Sequence, residues 1–261
     1  MTKMFALQNF LRNRKNSKQS SAHKDIFPIK GFTPVTLLDW PGRISALLFV
    51  GGCNFRCPFC YNKELVINPE KEKTIDVKEI FEYLNNRKKW IDAVCITGGE
   101  PTLYEQGLEN FCQKIKNLKF LIQIQTNGTN PELLDKLINA KLIDYIAMDI
   151  KGPIQKYDQI VNVNVDKEKI KQSVRLIKSN PQIQSEFRTT IVPKMHNEDD
   201  IKMIGEWLGP NCRIPFYLQQ FQNGKTLDPK FQYKKPYLKP ELEKMTKIAK
   251  KYFKKVKLRG I

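Results

Sequence analysis

Short apolar runs and stretches of helical period alternate about six times along this chain from residue 31 onward, with short connections between them. Residues 44–50, 93–96, 120–124, 143–150, 183–192 and 214–221 read as strands, the first bounded by Pro-Gly and Gly-Gly. Between them 76–88, 103–115, 131–139, 167–178 and 198–208 repeat their apolar residues every three or four positions, as Val77, Ile80, Phe81 and Leu84 do. Residues 240–253 make a final helix. Strands separated by helices run parallel, joined by right-handed crossovers with the helices outside. Six such units fit an α/β fold, a partial (β/α)6 barrel or an open sheet, and no recurring repeat length suggests a solenoid.

Composition narrows the choice of partner. The 41% apolar content can fill a core, and the longest apolar run, 44–50, is far below the roughly 20 residues a bilayer span needs. The formal charge of +18 points first to nucleic acid, but it sits at the ends. Residues 1–30 carry seven Lys/Arg and one acid, and 225–261 carry thirteen and three, while 31–224 carry twenty-five and twenty-three. We therefore expect a disordered basic N-terminal extension (1–30), a barrel (31–224) and a basic C-terminal segment with a final helix (225–261). Basic ends of this kind keep a chain soluble or steer a partner, and a nucleic-acid role is the less favoured reading. Residues 1–24 hold no acid and have the composition of a transit peptide, although a plain basic extension is preferred. Six cysteines in a chain of this length, with no secretory signal, read as reduced thiols in a cytoplasmic protein.

Three of those cysteines, Cys53, Cys57 and Cys60, fall within eight residues in a Gly-led loop just after the first strand. Soft thiolates grouped this way bind zinc, copper or an iron–sulfur cluster. A structural zinc site closes with four ligands, and neither His23 nor His196 lies nearby in sequence. Three ligands from one loop leave a metal position open for substrate or cofactor. Gly98-Gly99-Glu100-Pro101 follows the second strand, where two glycines let backbone approach a ligand and Glu100 can accept from an ammonium. Thr126-Asn127-Gly128 ends the third strand, Asp149 and Lys151 end the fourth, and Arg188 lies in the fifth. Parallel barrel strands converge at their C-terminal ends, so these residues are placed to line one pocket.

Cys-x3-Cys-x2-Cys with the aromatic Phe59 before the last cysteine resembles the radical S-adenosylmethionine superfamily. The resemblance covers most of 31–224. It implies a [4Fe–4S] cluster on Cys53, Cys57 and Cys60, whose unique iron binds the amino and carboxylate groups of S-adenosylmethionine. One electron then cleaves the sulfonium to a 5′-deoxyadenosyl radical that abstracts hydrogen, radical chemistry that belongs to the cofactor. Gly98, Gly99 and Glu100 resemble the motif that holds the methionine amino group, and Thr126 and Asn127 lie beside it. Within the superfamily the chain is most similar to glycyl-radical-enzyme activases, through the lead-in Phe32 to Gly42, Cys-Pro-Phe-Cys, Met-Asp-Ile-Lys, Phe-Arg-Thr-Thr and Leu-Gln-Gln-Phe. That comparison puts Asp149 and Lys151 beside the cofactor and Arg188 near its carboxylate. It implies a glycyl radical enzyme as protein substrate, most closely the anaerobic ribonucleotide reductase, and a flavodoxin- or ferredoxin-type electron donor. The chain departs from the group at Tyr61, where many members have His, and at Gln125, where a carboxylate often helps hold a monovalent cation. The rival readings are a radical enzyme modifying RNA or a peptide, and a zinc-bound interaction module.

Overall fold

The computed structural model describes residues 27–261, so the readings made for 1–24 lie outside the described residues. One eight-stranded sheet runs through it in sequence order. Its strands are β1 (Ile29–Thr36), β2 (Ser45–Val50), β3 (Ala93–Gly98), β4 (Leu121–Thr126), β5 (Tyr145–Asp149), β6 (Gln184–Ile191), β7 (Phe216–Gln220) and β8 (Val256–Arg259). The helices are α1 (Lys63–Ile67), α2 (Val77–Asn86), α3 (Glu105–Asn117), α4 (Pro131–Asn139), α5 (Tyr157–Val161), α6 (Lys167–Ser179), α7 (Glu198–Leu208) and α8 (Lys239–Ala249). Strands β2 to β8 pair in parallel and β1 pairs antiparallel with β2. Side chains start several helices: Asp76 caps α2, Asn130 caps α4, and Asn197 with Asp200 forms a capping box on α7.

The six expected parallel strands are β2 to β7. Two further strands complete the sheet. β1 contains Gly31 and Pro34, which break a strand pattern, and its register with β2 slips between Thr33 and Thr36, where proline cannot donate to the ladder. β8 lies in a lysine-rich stretch whose charge hides its alternation. The boundaries placed at 30/31 and 224/225 therefore both fall inside the sheet, since Ile29 and Lys30 open β1 and β8 follows residue 225. Leu242, Met245 and Ala249 of α8 are buried, and Phe253 stacks on Phe216 at 4.5 Å, so the C-terminal segment packs as the last β/α unit.

Period-two alternation gives the sheet two unlike faces. Ala46, Leu48, Val94, Ile96, Ile122, Ile124 and Ile146 belong to the main apolar core with the helix side chains. The other face is mostly polar higher up, with Gln123, Gln125, Glu186, Arg188, Gln219 and Arg259. Only its lower end is apolar, where Trp40, Leu47, Ala93, Cys95 and Tyr145 form a small separate cluster. Trp40 comes from the turn between β1 and β2, and its ring lies 5.1 Å from that of Tyr145. Beside it, the Asp39 carbonyl accepts from Gln123 Nε2 at 3.0 Å and Asp39 Oδ1 from Gln125 Nε2 at 3.2 Å. The turn thereby plugs the sheet's concave side from below.

Candidate functional site

The cysteine loop leaves the C-terminal end of β2 and is tied down from several elements. Gly52 N–H donates to the Leu65 carbonyl, Arg56 N–H to the Val161 carbonyl, Leu227 N–H to the Cys60 carbonyl and Asp228 N–H to the Pro58 carbonyl, all at 2.7–2.9 Å. The Arg56 guanidinium donates back to the Cys53 and Phe55 carbonyls. Phe55 meets Tyr157 edge-on, and Phe59 meets His196 in the same way. Cys53, Cys57 and Cys60 line one side of a cavity of about 370 Å³ at the C-terminal ends of the parallel strands. Burial pushes the Cys53 thiol up to about 12 and Cys57 to about 11, and raises Cys60 as well. Thiolates there need a cationic partner.

The next wall is built from Gly98-Gly99-Glu100 and the end of β4. Gly98 has φ +116°, and a Cβ on it would meet the Val50 backbone at 2.3 Å. A Cβ on Gly99 would lie 1.7 Å from the Gly52 carbonyl oxygen. The glycines are thus required for the β3 end to touch the base of the cysteine loop, where Glu100 N–H donates to that same Gly52 oxygen. The Glu100 carboxylate is fully buried and mostly used by the protein. Its Oε1 accepts from Thr102 N–H, Thr102 Oγ1 and Thr126 Oγ1, and its Oε2 from Asn127 N–H at 2.7 Å. Burial raises its pKa, and these donors oppose the rise. Asn127 donates from Nδ2 to Asn54 Oδ1 in the cysteine loop, while its Oδ1 accepts from Thr129. The side chains of Glu100, Thr126 and Asn127 therefore join three loops, and Glu100 Oε2 keeps room for one further donor.

The opposite wall carries charge. Asp149 accepts from Lys151 Nζ and from Arg188 Nε, both at 2.9 Å. Burial alone would raise Asp149, but the two cations outweigh it and hold the group at about 2. The two terminal nitrogens of Arg188 have no hydrogen-bond partner among the described residues. Lys151 is fixed at its backbone: its N–H donates to Tyr157 Oη, and its carbonyl accepts from His196 Nε2 at 2.7 Å. Since His196 Nδ1 accepts from Val192 N–H, the imidazole proton is on Nε2, and burial keeps the ring neutral by lowering its pKa. Every residue singled out from the sequence thus lies in or beside this one cavity. Sequence reasoning does not point to Asp39, which the β1–β2 turn brings to the cavity, to Gln219 and Arg259, which β7 and β8 bring there, or to Glu186, buried behind the lining as the partner of Arg259. The two departures also have places: Tyr61 stacks on Phe221 and its hydroxyl bridges the Gln222 backbone, and Gln125 spends its amide nitrogen on Asp39 and Gln123.

Among the described residues no three His, Cys, Asp or Glu side chains surround a single ion. A four-iron cluster makes a different demand, because its thiolates bind separate irons and stand apart. Three cysteines on one face of a cavity, Cys57 buried and Cys53 and Cys60 half-buried, facing free guanidinium nitrogens and a buried carboxylate, suit a cluster with a zwitterionic amino-acid ligand beside it. No helix of the described residues is long and apolar enough to cross a membrane.

Comparison with known proteins agrees with this geometry. Residues 47–208 match the radical SAM superfamily. A Methanocaldococcus jannaschii protein, named provisionally as a glycyl-radical enzyme activating enzyme, is 35% identical over 89% of this chain and 96% of its own length. A second protein from that organism, named in the same way, is 28% identical over 83% of this chain and 79% of its own. Among solved structures, Streptococcus suis SuiB bound to S-adenosylmethionine superposes with a TM-score of 0.55 at 18% identity, covering 80% of this chain and 48% of that one. The last of these speaks to the fold alone.

Proposed function

Since the chain belongs to the radical SAM superfamily, an enzyme family whose cofactors are a [4Fe–4S] cluster and S-adenosylmethionine, we propose that it is a glycyl-radical-enzyme activase. The reaction is reductive cleavage of S-adenosylmethionine followed by hydrogen abstraction from a backbone glycine of a partner enzyme, the anaerobic ribonucleotide reductase. The observation that carries this reading is the single cavity that gathers Cys53, Cys57 and Cys60, the Gly98–Glu100 turn, Asp149, Lys151 and Arg188. The near full-length similarity to proteins named as such activases supports the choice of partner class.

In this reading the thiolates of Cys53, Cys57 and Cys60 would hold the cluster, which would supply one-electron reduction at the sulfonium. Glu100 and the Gly98–Gly99 backbone receive the methionine ammonium, with Phe59, Thr126 and Asn127 fixing that wall. Arg188 offers its two free nitrogens to the methionine carboxylate, a planar acceptor that suits a guanidinium fork. Asp149 holds Arg188 and Lys151 in place. A flavodoxin- or ferredoxin-type protein donates the electron in an anaerobic cytoplasm. A zinc-bound interaction module does not fit an enzyme of this family, and the RNA- or peptide-modifying alternative has no further motif to support it.

The test is an anaerobic assay in which reconstituted protein, dithionite and S-adenosylmethionine are mixed with the anaerobic ribonucleotide reductase of the same genome. Electron paramagnetic resonance should show a glycyl doublet that requires this chain. Release of 5′-deoxyadenosine without a doublet on any glycyl radical enzyme of that genome would remove the activase assignment and leave the cofactor chemistry.

A further inference from the structure

Glu186 is the most deeply buried acid on the charged side of the cavity, with no exposed surface. It points from β6 into the concave side of the sheet, two residues before Arg188. A buried carboxylate is stable only when paired, and removing its partner leaves a charge with a large desolvation penalty. Two guanidinium groups are within reach. Arg259, two residues from the end of the chain, donates from both terminal nitrogens to the two oxygens of Glu186, at 3.1 and 3.2 Å. Arg188 Nε lies 3.9 Å from Glu186 Oε1, beyond hydrogen-bond range, and bonds Asp149 instead. Tyr145 Oη completes the Glu186 site with a donor at 2.6 Å.

Arg259 is itself held for this role. Its guanidinium lies over the Tyr217 ring at 4.1 Å and donates to Gln219 Oε1 at 3.4 Å, both on the neighbouring strand β7. Charges therefore alternate across β8, β6 and β5 as Arg259, Glu186, Arg188, Asp149 and Lys151. Three cations and two carboxylates leave one net positive charge, and the donors of that row left over for a ligand are the terminal nitrogens of Arg188 and the remaining N–H bonds of Lys151 Nζ, of which only Arg188 offers a planar fork.

We infer that Arg259 is a positioning residue: by occupying Glu186 it keeps Arg188 free to receive the carboxylate of the amino-acid cofactor. The inference rests on the reading above that Arg188 meets that carboxylate. Without Arg259, Glu186 is a buried acid whose nearest remaining cation is Arg188. Arg188 then turns toward Glu186, the row becomes neutral, and the cavity loses the guanidinium fork that would receive a carboxylate, keeping only Lys151. A basic residue in the last strand, outside the span matched to the family, thus sets the affinity of a site whose Arg188 lies 71 positions earlier in the sequence.

The experiment is a double-mutant cycle on the cluster-loaded protein, reading the dissociation constant for S-adenosylmethionine by equilibrium dialysis, with iron content and melting temperature as controls. Arg259→Gln should weaken binding by about tenfold or more, as expected when a buried charge pair is broken. Glu186→Gln alone should bind within about threefold of wild type, since the competing acid is gone. The double variant Glu186→Gln/Arg259→Gln should recover most of the loss, which a merely structural anchor would not do. Unchanged affinity in Arg259→Gln, or a double variant as weak as the single, would overturn the inference. So would failure of both Arg259 variants to fold, which would make Arg259 an anchor of β8. Arg188→Gln separates the two levels. If it binds as wild type, the reading of Arg188 is wrong. If it weakens binding while Arg259→Gln does not, only the role of Arg259 falls.

Discussion

The two walls of the cavity are built by different means. The wall from β2 to β4 is a set of contiguous loop motifs, Gly51 to Asn62, Gly98 to Pro101 and Thr126 to Gly128, joined by backbone contacts and by neutral donors converging on Glu100. The wall from β5 to β8 is a row of alternating charges, contributed singly by residues as far apart as Asp149 and Arg259. The first fixes positions through close backbone approach. The second tunes affinity through a charge balance. Damage to the first should therefore remove the site, and damage to the second should leave a site that binds more weakly.

The largest effect belongs to the thiolates. Replacing Cys53, Cys57 or Cys60 by Ala should lower iron from about four per chain to near none and abolish S-adenosylmethionine cleavage, measured as 5′-deoxyadenosine. Cys95, Cys112 and Cys212 are buried among apolar neighbours, so the same change there should leave iron content intact. Next comes Gly99→Val. Its Cβ would fall 1.7 Å from the Gly52 oxygen, so the β3 end and the cysteine loop must separate. We expect loss of S-adenosylmethionine binding together with a lower melting temperature. The comparison sharpens at Glu100, where Ala orphans buried donors at about 1–3 kcal/mol each, while Gln keeps an acceptor for Thr102 and Thr126. Glu100→Ala should lower the midpoint of chemical denaturation clearly more than Glu100→Gln does, and both should weaken the cofactor.

On the charged wall a pH experiment applies. Asp149 titrates at about 2 in the folded protein, against 3.8 as its usual value. Its contribution to stability is therefore complete above about pH 4 and is lost as pH falls through about 2. Asp149→Asn should flatten the acid limb of the stability curve in that window, and an identical limb would mean that Arg188 and Lys151 do not hold it. The smallest effect is expected on the outer surface. Lys250, Lys251, Lys254, Lys255 and Lys257 are exposed and none forms a salt bridge with the described residues. Neutralising all five should leave partner-free cleavage at nearly the wild-type rate, with any change confined to encounter with the protein substrate.

The same contrast explains what was legible in the sequence. The wall from β2 to β4 could be read directly, because a loop that must bind close to backbone concentrates Gly and Cys at fixed short spacings. Helices α4 and α7 were equally plain, since a proline or capping asparagine precedes each apolar period. Arg188, within β6, was legible through its strand and through the Phe-Arg-Thr-Thr resemblance. Glu186 and Arg259 were not, because their partners are set by sheet order, and a charged residue in a lysine-rich tail looks like solvated surface. The sequence shows a final helix in the C-terminal segment, but its lysines hide the strand that follows. Its net charge is real, but Arg259 lies on the concave face beside Gln219, and its neighbour Leu258 packs against the apolar core on the other face. The turn carrying Asp39 and Trp40 stands out in the sequence as part of the lead-in motif, yet only its folding against the sheet shows that it forms the floor.

The division between a wall that builds the site and a wall that reads the ligand is tested most directly by one spectrum. The reduced, cluster-loaded protein should give an electron paramagnetic resonance signal that S-adenosylmethionine perturbs. In Arg188→Gln that signal should keep its intensity without ligand, and its perturbation should require about tenfold more S-adenosylmethionine, as expected for a lost charge-assisted contact. Loss of the ligand-free signal in Arg188→Gln, or a perturbation at the wild-type concentration, would contradict the division.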